Sequence, residues 1–488
     1  MAATNRGDTV PPEDTGGPDG PKPPAAVSRG DDPPKPPAHA PDGNKLAAAL
    51  QHRLGPVAIE GLTRLSGGAS KETWSLEAVA EDGTRTGLIL RRDPPGRPGE
   101  AGATDREAAA IRLAHDANLP VPELLFCSSD PAPHADRAPG KTVRQGRSRA
   151  SEDRPVLGTA GMVMRRVEGE TIARRILRDP QYATARRVLV GQFGEFAARL
   201  HALPVPAFLP EPDPLAALRD QLDSFGRPSA VFELALAELE RDRPPPRRPV
   251  LLHGDFRLGN VIVGPDGLRA VLDWELTHAG NPAEDLGWLC VKAWRFGVIA
   301  PVAGLGSREE LLAAYRAVGG AGISLAELRW WEILGTLRWG VICLTQAAAH
   351  LSGAHRSVEL AAIGRRVCEQ EWDLLILLRP EEAAAAAQRR PRLSGSATGE
   401  PAPHGRPTAS ELLAAVREYL LTSVLPATSG QLAFHARVAA NSLAIVAREL
   451  ELGPFPADAG LADAVAARLA VANPKYFETA PLASSAPS

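Results

Sequence analysis

The sequence predicts an α+β fold, with a strand-rich first third, a helical remainder and a small all-α domain at the end. Three observations carry this expectation. Residues 57–65, 72–79 and 86–92 are short runs of strand character joined by glycine-containing turns. From Thr171 onward the pattern turns helical: Leu189, Phe193, Phe196 and Leu200 step by four, three and four along one apolar stripe. The exception within the helical part is 250–294. There 250–252, 261–263 and 270–272 are continuous apolar runs, read as buried strands, around the hairpin turn Gly264-Pro265-Asp266-Gly267.

Composition narrows the class. A chain of 488 residues, 44% hydrophobic with net charge −3, has material for two or three domains and ample core. Near-neutral charge gives no electrostatic case for nucleic acid. Four cysteines, Cys127, Cys290, Cys343 and Cys368, are scattered without metal spacing and read as reduced residues of a cytosolic protein. No apolar run is long enough to span a bilayer, so no membrane is expected. Residues 1–42 are Pro, Gly, Asp and Ala with almost no large apolar side chain, and are expected to be disordered. They lack the charged-then-apolar order of a signal peptide, which makes the cytoplasm the expected location.

Along the chain, 43–167 reads as one lobe. A short helix over 44–54 precedes the three strands. Between the first two strands lies Ser66-Gly67-Gly68-Ala69-Ser70. Small residues such as Gly68 and Ser70 let backbone N–H groups approach a phosphate, although a plain hairpin turn uses the same residues. The third strand ends in Arg91, with Arg92 on its other face and expected in solvent. A helix over 105–118 carries Glu107, a partner for a strand cation or a solvated glutamate. A strand over 121–126 follows, then a polar, basic and Pro-rich insertion over 128–155 expected to be mobile. Gly161-Met162-Val163-Met164-Arg165-Arg166-Val167 reads as the last strand of the lobe.

The second lobe, 168–379, contains helices over 215–225, 230–241, 283–296, 309–318, 325–350 and 359–378. His201 reads as a capping or packing residue, and Trp330, Trp331 and Trp339 as core. A linker over 380–407 leads to 408–475, three helices opened by the capping box Thr408-x-x-Glu411. Residues 476–488 are expected to be a disordered tail.

The informative chemistry sits at the ends of the apolar runs in 250–294. His253-Gly254-Asp255, Asn260 and Asp273-Trp274-Glu275 bring polar groups to the ends of hydrophobic strands. Phosphoryl transfer asks for this arrangement: one carboxylate orients the attacking hydroxyl, while an amide oxygen and a second carboxylate hold Mg²⁺ against the triphosphate. Asp255 fits the first role, Asn260 and Asp273 the second. Two protein ligands suffice, since Mg²⁺ keeps its other positions for water and phosphate.

H-G-D-x-x-x-x-N followed by L-D-W-E resembles the catalytic and metal loops of the aminoglycoside phosphotransferase and choline kinase family. The wording HGDFRLGN, LDWEL and EDLGW resembles most the branch fused to acyl-CoA dehydrogenases. The resemblance runs from about residue 55 to about residue 379 and implies a protein-kinase-like two-lobe fold, with a small β-rich lobe and a helical large lobe. It implies ATP and Mg²⁺, with Arg91 where the family pattern has a phosphate-pairing lysine, steadied by Glu107. Backbone groups of Arg165 to Val167 would take adenine, with Met164 lining its slot. Asp285 would brace the catalytic loop and His253 would hold it. Glu275 would face the metal or the surface equally.

Arg257, Lys292 and Arg295 flank the catalytic loop, which favours an acceptor carrying carboxylate or phosphate over a polycationic aminoglycoside. The resemblance points the same way, to a hydroxy acid or hydroxyacyl-CoA. The alternative is a catalytically silent nucleotide-binding regulator, with 408–475 as the surface for a protein partner or self-association.

Overall fold

The computed structural model describes residues 40–65, 71–95, 99–130, 157–226, 229–391, 408–456 and 458–479. Gly68, Ser70, most of the 128–155 insertion, residues 392–407 and nearly all of 1–42 therefore lie outside the described residues. Asp42, expected in the tail, instead caps helix α1 (Gly43–Leu54) by accepting from the Asn44 and Lys45 amides.

The small lobe is built on β1 (Val57–Arg64), β2 (Glu72–Ala80) and β3 (Arg85–Arg92), followed by α2 (Ala103–Asp116), β4 (Leu124–Cys127) and β5 (Gly161–Arg165). The five strands form one antiparallel sheet in the order β1-β2-β3-β5-β4. Alternation fixes its faces: Trp74, Leu76, Ala78, Leu88 and Leu90 are buried on one side. Thr73 lies opposite Arg91 and points to the other side. Arg92 does face away from Arg91, but it is not in solvent. It is 3% exposed, paired to Glu72 at 3.0 Å and donating to the Leu157 carbonyl. A guanidinium whose carboxylate and carbonyl partners are both at hand can be buried.

The chain leaves β5 through Gly169, at φ +153°, where a Cβ would press on Ile262 and the Val263 carbonyl. Glu170 then bridges to Val263 of the large lobe. Helices α3 (Ala173–Arg178), α4 (Ala183–His201), α5 (Pro214–Ser224) and α6 (Ala230–Arg241) precede two small antiparallel pairs. These are β6 (Val250–Leu252) with β9 (His278–Gly280), and β7 (Val261–Gly264) with β8 (Gly267–Val271). Strand β9 was not expected: three residues carry no periodic signal of their own.

The expected helix over 283–296 is shorter. It is α7 (Ala283–Cys290), followed by a 3₁₀ turn over Lys292–Arg295 that ends at Phe296 with φ +49°. Next come α8 (Arg308–Ala317) and α9 (Leu325–Leu351). The expected 359–378 helix divides at Arg365 and Arg366 into α10 (Val358–Gly364) and α11 (Val367–Leu378).

The linker over 380–407 needs correction at its start. Residues 380–389 form α12 (Pro380–Arg389), with Pro380 at the first helical position and Glu381 and Glu382 in the first turn. Ala383, Ala386 and Ala387 are buried, so the alanine run is a packing face. The last helices are α13 (Ala409–Tyr419), continued by a π turn over Leu420–Val424, then α14 (Gly430–Leu452) and α15 (Leu461–Ala472). The capping box of Thr408 and Glu411 is formed. Helix α15 packs on α11 and α12, and α14 on α10. Residues 476–479, expected in a disordered tail, are instead ordered. Tyr476 and Phe477 lie in a 3₁₀ turn over Pro474–Thr479, Phe477 meets Trp372 edge-on, and Tyr476 donates to Asp373 at 2.6 Å.

Candidate active site

Strand β6, held by β9, delivers the chain at His253 to the cleft side of the large lobe. Gly254 has φ +79°, and a Cβ there would collide with the Leu276 carbonyl oxygen, so this turn requires glycine. Asp285, in the first turn of α7, accepts from the His253 and Gly254 amides, each at 2.9 Å. It is 1% exposed, and Oδ2 also meets His201 Nε2 at 3.2 Å. Burial pushes the Asp285 carboxyl up, but the His201 contact and the amide donors hold it below the usual carboxylate range. Asp285 braces the loop, as expected. His201 is more than a cap: its Nδ1 sits 2.9 Å from the Tyr315 hydroxyl, so a buried chain of three groups backs the loop.

His253 is fully buried. Its Nδ1 accepts the Asp255 amide at 3.1 Å, which leaves Nε2 to carry the proton and donate to the Leu272 carbonyl at 2.9 Å. One ring nitrogen thus fixes the loop's own turn, and the other ties the loop to Leu272, just past β8.

Asp255 is held on both carboxylate oxygens. Oδ1 accepts from Trp288 Nε1 at 2.7 Å and Arg257 Nε at 2.9 Å; Oδ2 accepts from Asn260 Nδ2 at 2.6 Å. The Trp288 contact was not legible, because a tryptophan in an apolar helix reads as core. Asn260 Nδ2 also donates to the Asp255 carbonyl, which leaves Oδ1 on the other side of its amide. Leu272 donates to the Asn260 carbonyl at 2.8 Å, tying this loop to the approach to Asp273.

Asp273 sits at φ +67°, a conformation sparsely populated by residues with a Cβ. Its Oδ1 accepts from Arg91 Nη2 at 2.7 Å, and Glu275 lies 3.9 Å from the same nitrogen. Burial raises its pKa, yet the Arg91 charge and hydrogen bond hold Asp273 below the usual range. Arg91 Nη1 donates to Glu107 Oε1 at 2.6 Å, the expected pair. Burial alone would lower the Arg91 pKa; Glu107 and Asp273 reverse that and raise it, so it stays charged. Lys71, absent from the expected site, donates to the other oxygen of Glu107 at 2.7 Å. The signal that could have found it is position: Lys71 directly precedes β2, the strand that pairs with the one carrying Arg91.

At the lobe junction, Met164 is 5% exposed and Val167 is half-buried. The Arg165 side chain is exposed and pairs with Glu123 at 2.8 Å. The Arg165 and Arg166 amides already donate to the Glu123 and Gly87 carbonyls, so they are spoken for within the sheet. Of the cations expected to flank the loop, only Arg257 joins Asp255, and it stacks over Trp294 at 4.7 Å. Lys292 is paired to Asp373, and Arg295 to Glu332.

Among the described residues no group of three or more His, Cys, Asp or Glu is placed to hold a metal ion. Asn260 and Asp273 instead form a sparse, oxygen-only donor set, which fits Mg²⁺ and a phosphate-bearing ligand. A cavity of about 670 Å³ lined by Glu238, Arg241, Pro245, Trp330 and Leu377 shares no residue with this cluster. No helix among the described residues is long and apolar enough to cross a membrane, and all four cysteines are buried free thiols.

A five-stranded lobe joined to a helical lobe, with Asp255, Asn260 and Asp273 converging at the junction, defines a protein-kinase-like fold. The model of the phosphotransferase enzyme family matches residues 61–331, more than half of the chain, and the protein belongs to that family. Residues 426–462 match a domain of unknown function, DUF6285.

Acyl-CoA dehydrogenase family member 11 of Gallus gallus is 26% identical over 65% of this chain and 41% of its own length. The Homo sapiens protein of the same name is 28% identical over 46% of this chain and 29% of its own. The chain thus spans less than half the length of these curated relatives. Among solved structures, a protein of Ralstonia eutropha described as an aminoglycoside phosphotransferase aligns over 68% of this chain and 98% of its own. It does so with TM-score 0.50 and 19% identity, a likeness of fold.

Proposed function

We propose that this protein moves the γ-phosphoryl group of Mg·ATP to a hydroxyl of a small molecule. The observation that carries this reading is Asp255, whose carboxylate is oriented by Asn260, Trp288 and Arg257 at the end of a loop braced by Asp285. A surface carboxylate has no need of such support. Asp255 positions the acceptor hydroxyl and takes its proton as the new O–P bond forms and the bond to the β–γ bridging oxygen breaks. An alcohol is too weak an acid to be deprotonated beforehand, so orientation outweighs basicity.

Asn260 and Asp273 would hold Mg²⁺, whose charge offsets that of the phosphates when bound. Glu275 stands close enough to Arg91 to tune the same corner. Arg91 with Glu107 stands at the phosphate end, and Met164 with Val167 would line the adenine slot, because the Arg165 and Arg166 amides are held within the small lobe.

Arg257 beside Asp255 supports an acceptor with an anionic group. The names of the relatives, acyl-CoA dehydrogenases, favour a hydroxy acid or hydroxyacyl-CoA over an aminoglycoside. Buried free thiols support a reducing, cytoplasmic setting. The test is a panel of hydroxy acids, their CoA thioesters and aminoglycosides assayed for acceptor-dependent ADP release. Turnover with an anionic hydroxyl compound is expected; turnover with aminoglycosides alone would overturn the acceptor class.

A second reading, a silent nucleotide-binding regulator, is favoured by one observation: Asp273 is occupied by the Arg91 guanidinium. In that reading the exposed Leu412, Val416 and Tyr419 of α13 would meet a partner or a second copy.

A further inference from the structure

Two cations face the buried carboxylate of Glu107. Arg91 Nη1 donates to Oε1 at 2.6 Å, and Lys71 Nζ donates to Oε2 at 2.7 Å. Glu107 is wholly buried and Lys71 is 9% exposed, so neither cation is loosely solvated. One carboxylate balances one charge. Arg91 finds its second anion across the cleft in Asp273 at 2.7 Å, with Glu275 at 3.9 Å. Lys71 has a neutral second partner among the described residues, the Thr104 hydroxyl at 3.4 Å. Two cations thus face three carboxylates, but Asp273 and Glu275 stand against Arg91, and among the described residues Lys71 is paired to Glu107 alone, a carboxylate it shares. A nearly buried ammonium with one shared carboxylate gains from an incoming anion.

The strand register says where that anion would come. Thr73 faces Arg91 across β2 and β3, and Lys71, just before β2, meets Arg91 at the two oxygens of Glu107. In sequence Lys71 also directly follows Ser70, the last residue of the small-residue run Ser66-Gly67-Gly68-Ala69-Ser70. An ammonium has three N–H donors; two are directed at Glu107 and Thr104. The two side chains also differ in kind. A planar guanidinium fork suits two carboxylates fixed on either side of it, whereas a compact ammonium suits a phosphate as a point charge.

We propose that Lys71 is the cation that meets the nucleotide phosphates, and that Arg91 serves mainly as the tie between Glu107 and Asp273. The role of a single strand lysine is thus divided between two residues. This rests on the kinase reading above.

The test is calorimetric titration of the full chain with ATP and, separately, with adenosine, both with Mg²⁺, for wild type, Lys71→Met and Lys71→Arg. Lys71→Met should lose about tenfold in ATP affinity or more, the worth of one charge-assisted contact. Its adenosine affinity should stay at the wild-type value, and Lys71→Arg should regain most of the loss. Unchanged ATP affinity in Lys71→Met overturns the proposal. So does a parallel loss of ATP and adenosine binding, which would make Lys71 a brace for Glu107 alone. A wild type that binds no ATP overturns the kinase reading first, and this proposal with it.

Discussion

The two halves of the site are held by different means. The loop carrying Asp255 draws its support from its own lobe: Arg257, Asn260, Asp285, Trp288 and His201 all belong to the large lobe. Asp273 is held from the other lobe by Arg91, a residue 182 positions earlier. The first half is built before any ligand arrives. The second depends on how the lobes meet, because its main partner is a charge carried on the small-lobe sheet. In the proposed reading a base has to be aimed in advance, whereas a metal ligand and the arginine that ties it can part on binding.

This contrast can be broken or sharpened by substitution. The largest effect is expected at Asp255. Asp255→Asn should lower phosphoryl transfer by about 10²-fold to 10⁴-fold, the range for a positioned general base. Its melting temperature with Mg·ATP should stay near the wild-type value, which thermal denaturation would check. Next comes Glu107→Gln, which leaves Arg91 and Lys71 without their shared buried carboxylate. Removing one partner of such a pair costs about 3–5 kcal/mol, readable by urea unfolding. Hydrogen exchange at 253–260 should be unchanged in that variant if the large-lobe half is independently built.

Asp285→Asn tests the brace and should cost about 1–3 kcal/mol, because an amide accepts less well than a carboxylate from the two loop amides. It should also alter the acid response. The folded pKa of Asp285 lies below its ordinary 3.8, so the native state binds fewer protons than the unfolded one in that range. The stability it contributes is whole above 3.8 and drains as pH falls toward the lowered folded value. Melting curves across that window should be steeper in wild type than in Asp285→Asn. The smallest effect is expected at Tyr476→Phe. Losing its bond to Asp373 should cost about 1 kcal/mol, seen as a modest fall in melting temperature with phosphoryl transfer retained.

The loop carrying Asp255 was legible because its polar residues are local. His253, Asp255, Asn260 and Asp273 fall within one stretch, and the flanking apolar runs mark the strands that present them. Asp285 was legible because a carboxylate at a helix start has a general use. What was missed depends on contacts between distant segments. Trp288 and His201 look like packing residues until the fold turns their ring nitrogens toward Asp255 and Asp285. Lys71 is hidden beside a run of small residues in the sequence. Arg92 reads as solvated because its partners, Glu72 and Leu157, lie far along the chain. Helix α12 reads as linker because its alanine run has no large apolar side chain and leads into polar and Pro-containing sequence, although Ala383, Ala386 and Ala387 form a buried face.

The measurement that tests the central claim most directly is transfer of labelled γ-phosphate from Mg·ATP into a cell metabolite extract, with wild type beside Asp255→Asn. The account predicts a labelled small molecule that appears with wild type and is lost in the variant. Label transfer that survives in Asp255→Asn, or no transfer by a wild type that Mg·ATP still stabilises against heat, would contradict it.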